Sequence, residues 1–392
     1  MSTSVPRVLE LVRSGQALSR TALADHLNLA PSTVSQLVAK LIRLGLLEEG
    51  GSQRSTGGRK PRILTVRGSA GHVLAGELGS THARVGLVDL AGSLVTYQEQ
   101  PLSIAEGPEP SLHAVQQMFA ELSTKAPRGS VLQGVSLGLP GPVDEAAGAT
   151  ISPSRMPGWH GYAVREWLEH RNQSPVVVEN DANLMAFGEY SSSPDLGANL
   201  VCVKVGTGIG AGVIAGGRLY RGTTAMAGDI SHARVQAAGD RPCACGNRGC
   251  LETVASGAAI VSELRSQGVD IIDVAGVIDL VHEGDPRATP LVRTAGHHLG
   301  SVLAVVVNFF NPSAVLLGGA LSTCEPFIAS VRSQLYESCH PLATRSLTIS
   351  SLATGENAVI LGGARSILEQ KISTPDDAFR STEDLVPLGE TV

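Results

Sequence analysis

The sequence predicts an α/β protein in two parts: a small winged helix-turn-helix over residues 1–67, then a larger α/β body over residues 70–370. Three observations predict this. Residues 1–67 hold ten Lys and Arg against four Asp and Glu, a charge of +6, while the remainder holds 20 against 32, a charge of −12. Two short helical stretches precede a strand pair with a basic tip. From residue 70 onward, short apolar strands alternate with turns and helices, and two glycine-rich turns fall in separate halves.

In the head, "PRVLELVRSG" puts Val8, Leu9, Leu11 and Val12 on one helical face. Ser19 is an N-cap for a helix from Arg20 to Leu27, which "NLAP" breaks. Pro31 or Ser32 opens the next helix, with Val34, Leu37, Val38, Leu41 and Ile42 at helical spacing. Ser32, Thr33, Ser35, Gln36 and Lys40 then fall on or near its exposed face, where they can meet bases and phosphates in a major groove. Gly45 ends the helix. "LLEEGGSQRSTGGRKPRILTV" follows as a wing whose tip carries Gly57, Gly58, Arg59 and Lys60, and an Arg there can enter a narrow minor groove. The competing reading is a helical protein-interaction module with a solvated basic loop. Charge, spacing and wing together favour operator DNA.

The full chain of 392 residues is 43% apolar, enough for two or three domains with a sizeable core. The N-terminus lacks a secretory signal and no apolar run reaches membrane length, so a cytoplasmic protein without a membrane partner is expected. Six cysteines in so long a chain do not suggest a disulfide framework. "ELGSTHARVGL" (77–87) has the rhythm of strand, tight turn and strand. "GVSLGLPGPVD" (134–144) is a buried strand entering a Gly/Pro loop, and "SPVVVEND" (174–181) is a strand ending in acids. "NLVCVKVGTGIGAGVIAGGRLYRG" (199–222) is a hairpin. Residues 297–321 are an apolar helix, a strand and a Gly pair. Residues 371–392 are polar and weakly patterned, and are expected to be a loose tail.

These residues, above all "CACGNRGCLE" (243–252), resemble the ROK family (repressor, open reading frame, kinase) of the sugar kinase/actin/Hsp70 superfamily. With its head, the whole chain from about residue 5 to 370 resembles the ROK transcriptional repressors, XylR-like in layout. The resemblance implies two actin-like α/β lobes around a cleft. It implies one structural Zn²⁺ held by His232, Cys243, Cys245 and Cys250, a closed set of one imidazole and three thiolates. Taken alone, the same residues are three reduced thiols in a turn. Cys202, Cys324 and Cys339 sit singly in apolar contexts and are expected in the core.

The resemblance also implies a sugar pocket. Asn180 matches the family's hydroxyl-binding Asn, and Asp181 its general base. Asp229 replaces the Glu of the family's E-x-G-H, His232 would touch both sugar and zinc, and Glu252 matches a second carboxylate. Arg155 stands where an Asn is usual; it either contacts an acidic or phosphorylated sugar or pairs with a nearby carboxylate. Read singly, Asn180, Asp181 and Asp229 are also ordinary strand-end caps.

Two phosphate loops complete the match. The second, with Gly206, Thr207, Gly208 and Gly210, is intact, and Gly318 and Gly319 match the adenosine-side pair. The first keeps Gly79 and Thr81 but has Glu77 for the Asp that helps place Mg²⁺, and His82 for a Lys. A longer acid misplaces an ion that demands near-ideal octahedral geometry, which puts ATP and Mg²⁺ in doubt as cofactors and leaves Asp181 a vestigial base. The expectation is a sugar-responsive repressor of carbohydrate-metabolism genes, a homodimer or homotetramer released from its operator by a sugar effector. The alternative is an ATP-dependent sugar kinase with an appended DNA-binding head.

Overall fold

The computed structural model describes residues 5–50 and 62–373. The head is formed by α1 (Val5–Arg13), α2 (Arg20–Leu27), α3 (Pro31–Arg43) and the antiparallel pair β1 (Leu47–Gly50) and β2 (Ile63–Val66). Its local signals act as expected. The Ser19 side chain accepts the amide of Ala22, Asn28 closes α2 in the left-handed region at φ 53°, and Pro31 opens α3. Leu23, Val34, Val38 and Leu41 are fully buried, while Ser32, Thr33, Gln36 and Lys40 face outward and Ser35 is half-buried. The wing's strands are present. Its tip, including Arg59 and Lys60, lies outside the described residues.

The body has two lobes of the same design. In the first, β3 (Gly71–Leu78), β4 (His82–Asp89) and β5 (Leu94–Pro101) form an antiparallel meander. Then α4 (Pro108–Ser123) leads to β6 (Val131–Leu139), which runs parallel to β3. A short pair, β7 (Val143–Asp144) and β8 (Ala149–Thr150), and α5 (Val164–Asn172) precede β9 (Val176–Asn180), parallel to β6. The sheet order is β5-β4-β3-β6-β9. Helix α6 (Asp181–Ser192) follows directly.

The second lobe repeats the pattern with β10 (Leu200–Val205), β11 (Ile209–Ala215) and β12 (Arg218–Leu219). A loop then leads into α7 (Glu252–Ala255), α8 (Gly257–Ser266), α9 (Val274–His282) and the long α10 (Ala288–Phe310). Next come β13 (Ala314–Gly318), α11 (Glu325–Ser338), α12 (Pro341–Thr344) and β14 (Thr348–Ser351), in the sheet order β12-β11-β10-β13-β14. In each lobe a meander is followed by two parallel strands reached through helices, as in the actin-like fold.

The last helix, α13 (Ala358–Ser373), returns to the first lobe and ties the molecule together. It crosses α6 so closely that a Cβ on Gly362 would lie 1.9 Å from the carbonyl oxygen of Leu184, so only glycine fits. Its Ile360, Ala364, Ile367 and Leu368 belong to one apolar cluster with Val8, Leu11, Leu23, Val38 and Leu64 of the head and Val73, Ala75 and Val88 of the sheet. Arg365 adds a two-pronged ion pair to the buried Glu10, at 2.7 Å for each prong. The core therefore runs unbroken across the expected boundary at residues 67–70. Helix α13 also extends three residues into the segment expected to be loose, and residues 374–392 lie outside the described part. No described helix is long and apolar enough to cross a membrane.

Candidate functional site

The two lobes enclose a cleft of about 900 Å³. Both glycine-rich turns open onto it, as do the N-terminus of α6 and the loop before α7. Glu77, Gly79, Thr81, Arg155, Asn180, Asp181, Gly206, Thr207, Gly208, Gly210, Asp229, His232, Glu252, Gly318 and Gly319 all line it. Residues separated by up to 242 positions in the chain thus meet in one cavity.

At one end stand the groups matched to a sugar pocket, and each already has a partner. Asn180 is the N-cap of α6: its Oδ1 accepts the amide of Asn183 at 3.1 Å, and its Nδ2 donates to the carbonyl of Gly141 at 3.1 Å. Asp229 accepts from the Ser231 hydroxyl at 2.7 Å. Glu252 opens α7, accepts the amide of Ile209 at 3.1 Å, and meets Arg155 from the opposite lobe at 3.0 Å. Arg155 thus spans the cleft as an ion pair, the second of the two roles open to it in the sequence. Burial pushes the Glu252 carboxyl above its ordinary value, partly offset by the Arg155 guanidinium and the Ile209 amide.

Beside this end, the ligand atoms of His232, Cys243, Cys245 and Cys250 lie within 4.8 Å of one another. The His232 Nδ1 is 3.5 Å from the Cys243 sulfur, and the Cys245 and Cys250 sulfurs are 3.8 Å apart. Three thiols and an imidazole gathered this tightly suit a tetrahedral ion of intermediate softness. Gly246 and Gly249 take φ of 91° and 76° in the loop's turns. Cys202, Cys324 and Cys339 are buried elsewhere, as expected.

At the other end, the first turn is built as the sequence suggests: β3 and β4 pair antiparallel, and the Gly79 amide donates to the His82 carbonyl at 2.8 Å. The imidazole of His82 folds back over that turn, so close that a Cβ on Gly79 would lie 2.3 Å from its Cε1. The decisive residue is one that sequence reasoning passed over. Lys204 on β10 reaches across the cleft and donates from Nζ both to Glu77 on β3 and, at 2.5 Å, to Asp181 at the start of α6. Glu77 and Asp181 are 4% and 5% exposed, so the ammonium is their chief counter-charge.

Burial opposes the charge on Glu77, but Lys204, with help from His82 and Arg84, more than offsets it and holds the carboxyl below its ordinary value. For Asp181 the balance tips the other way: burial and the charge of Glu77 push it up against the pull of Lys204. Burial disfavours the ammonium too, yet the two carboxylates outweigh it and Lys204 is raised. Just outside, Arg84 is pinned between Glu99 at 2.5 Å and Glu356 at 2.6 Å. The signal for Lys204 was in the sequence: a lone charge inside the apolar strand "LVCVKV", directly before a glycine-rich turn.

A helix-turn-helix head seated on a two-lobed, actin-like body with a polar interlobe cleft defines a class that unites sugar kinases and repressors. The chain belongs to the ROK family, which residues 73–370 match, while residues 7–51 match the IclR helix-turn-helix domain. It is 28% identical over 366 residues to the xylose repressor of Bacillus spizizenii, covering 92% of this chain and 94% of that one. It is 30% identical over 333 residues to the N-acetylglucosamine repressor of Escherichia coli O6:H1, covering 81% and 80%. The crystal structure of a ROK family transcriptional regulator, a homolog of the E. coli MLC protein, matches with a TM-score of 0.77 at 23% identity over 94% of this chain and 95% of that chain, a likeness of fold.

Proposed function

We propose that this protein is a sugar-responsive transcriptional repressor of carbohydrate-metabolism genes, and that a sugar or sugar derivative in the cleft releases it from operator DNA. One observation carries the reading: a single helix joins cleft to head. Helix α13 starts in the cleft wall at Ala358 and Val359 and passes under the head, where Arg365 grips Glu10. A change in lobe closure is thus transmitted by packed side chains rather than across a loose linker. The effector shifts the equilibrium only by as much as it prefers one closure over the other.

The outward face of α3 supports the DNA half, with Ser32, Thr33, Gln36 and Lys40 free to meet an operator and Ser35 beside them. Arg59 and Lys60 at the wing tip complete the assignment. Two heads on a homodimer or homotetramer would match a palindromic operator. Exposed Val305 and Phe309, one turn apart on α10, support association with a second copy. In the cleft, Asn180, Asp229, His232 and Glu252 surround the sugar, with Asp181 at its inner edge. Zn²⁺ held by His232, Cys243, Cys245 and Cys250 would fix the loop that presents His232 and Glu252. The kinase alternative needs Asp181 free to accept a hydroxyl proton, and Lys204 engages that carboxylate.

The test is selection of genomic fragments by the purified protein, followed by gel shifts across pentoses, hexoses, amino sugars and their phosphates. One sugar is expected both to raise the melting temperature and to release the DNA. Gln36→Ala should relax preference at one base position, costing about 1–3 kcal/mol there, while the sugar-induced melting shift persists. Failure to select any sequence, or a sugar that binds without weakening the DNA complex, would overturn the reading.

A further inference from the structure

We propose that Lys204 is a built-in replacement for a divalent cation: its ammonium neutralises Glu77 and Asp181 across the cleft and closes the phosphate end to metal-bound nucleotide, leaving the sugar end as the working ligand site. The proposal deepens the sugar-sensor reading and rests on it.

Two nearly buried carboxylates facing each other need a positive charge between them. A metal-dependent phosphoryl-transfer site supplies it as Mg²⁺, bound through one or two carboxylates together with substrate phosphates. Here the chain supplies it. Lys204 has an ammonium with three donors, of which Glu77 and Asp181 each take one.

The strand makes room for this reach. The residues beside Lys204 on the neighbouring strands are both glycines, Gly210 on β11 and Gly318 on β13. No side chain flanks the lysine stem in its own sheet. A Cβ on Gly210 would lie 3.2 Å from Ala182, and one on Gly318 would lie 2.6 Å from Met185, so this face of the sheet packs directly on α6. The stem is thereby directed to the N-terminus of α6, where Asp181 sits. His82, folded over Gly79, fills the turn beside the pair and lies 4.0 Å from Glu77.

A dication would have to enter beside a fixed ammonium and take oxygens already engaged. Its octahedral shell at about 2.0–2.1 Å has no place there. The residues do not fit a Mg²⁺–nucleotide group, and the longer acid at Glu77 is part of that fit to Lys204 rather than a lone defect. Restoring Asp at position 77 alone should therefore not reopen the site.

The experiment is a Mn²⁺ titration followed by electron paramagnetic resonance on the full chain after saturation with zinc, comparing wild type, Glu77→Gln, Lys204→Met and Lys204→Met/Glu77→Gln. The wild type is expected to bind no more Mn²⁺ than Glu77→Gln. Lys204→Met should gain one site per chain, tighter than anything in the wild type by about tenfold or more, and the double variant should lose it. A Glu77-dependent Mn²⁺ site in the wild type, or no gain in folded Lys204→Met, overturns the proposal. If Lys204→Met does not fold, the wild-type and Glu77→Gln pair still decides it. Melting shifts with the sugar panel on the wild type are a separate arm: their absence counts against the sugar reading and leaves the cation result standing.

Discussion

The two ends of the cleft handle the same problem, carboxylates facing a cavity, in opposite ways. At the sugar end the partners of Asp229 and Glu252 are a hydroxyl and an arginine whose side chain is 35% exposed. The arginine's exposure screens its pairing with Glu252 and makes that contact the more readily exchanged one, although Glu252 and Ser231 are themselves buried. At the other end, Glu77 and Asp181 share an ammonium whose side chain is 17% exposed. Breaking that cluster leaves an uncompensated buried charge. The contrast separates carboxylates held singly, one of them by a partner open to solvent, from a carboxylate pair bridged by one shared ammonium. The positive charge that shapes each end also differs: the proposed zinc at the sugar end, the lysine at the other.

The largest effect should come from removing the first of these. Stripping metal with a chelator, or replacing Cys243 by Ser, should remove about one zinc per chain by metal analysis. With it should go the sugar-induced melting shift, because metal binding and loop order are one equilibrium. The Lys204 cluster lies on other elements and should persist. Protein purified under reducing, chelator-free conditions that holds no zinc would end this assignment. So would a Cys243→Ser variant that keeps both metal and shift.

The opposite lesion is next in size. Lys204→Met keeps the length of the stem and deletes the charge. Two nearly buried carboxylates are then left facing each other without their counter-charge, and the loss should be about 3–5 kcal/mol, the cost of breaking a buried pair, measured by urea unfolding at neutral pH. Glu77→Gln in the same background should return part of the loss, since it removes the repulsion. No recovery in the double variant would mean that Lys204 acts through packing alone.

Much of this was legible beforehand, for reasons that differ by element. The head was readable because caps and helical periodicity are local: Ser19, Pro31 and Val34–Val38–Leu41 act within a few residues of themselves. The α/β character of the body was readable from apolar strands and the two turns, and its two lobes from the family resemblance. The gathering of the cysteine loop was readable because its three thiols, Cys243, Cys245 and Cys250, lie within eight residues. Three features were not. Arg155 was open to a carboxylate partner, but that the partner is Glu252, and that Lys204 meets Glu77, is set across the cleft by how the lobes close and is invisible to spacing. The fusion of head and body was hidden as well, because the helix that joins them, α13 (Ala358–Ser373), begins 292 positions after the last strand of the head ends at Val66. Asn180 was read as a sugar contact and also as a strand-end cap; its cap role is visible in the structure, and its place in the cleft wall leaves the other role to experiment.

The smallest effect probes the exchangeable end. Arg155 now draws the raised Glu252 carboxyl back toward its ordinary value, so Arg155→Met should raise it further. A group whose folded value lies above its unfolded one contributes stability that is fully present below the unfolded value and is lost as pH rises through the folded one. In the variant, Glu252 is harder to ionise and its burial costs more once ionisation is forced. Wild type and variant should therefore match in acid, where Glu252 is protonated in both, and separate as pH rises toward neutrality. Because the arginine is a third exposed, the gap should stay below about 1 kcal/mol. Thermal unfolding at intervals from about pH 4 to pH 8 checks it, and a gap that is constant across that range would show that Arg155 contributes contact area rather than charge. A gap of several kcal/mol would erase the contrast itself, since Arg155 would then be as fixed at its end as Lys204 is at the other.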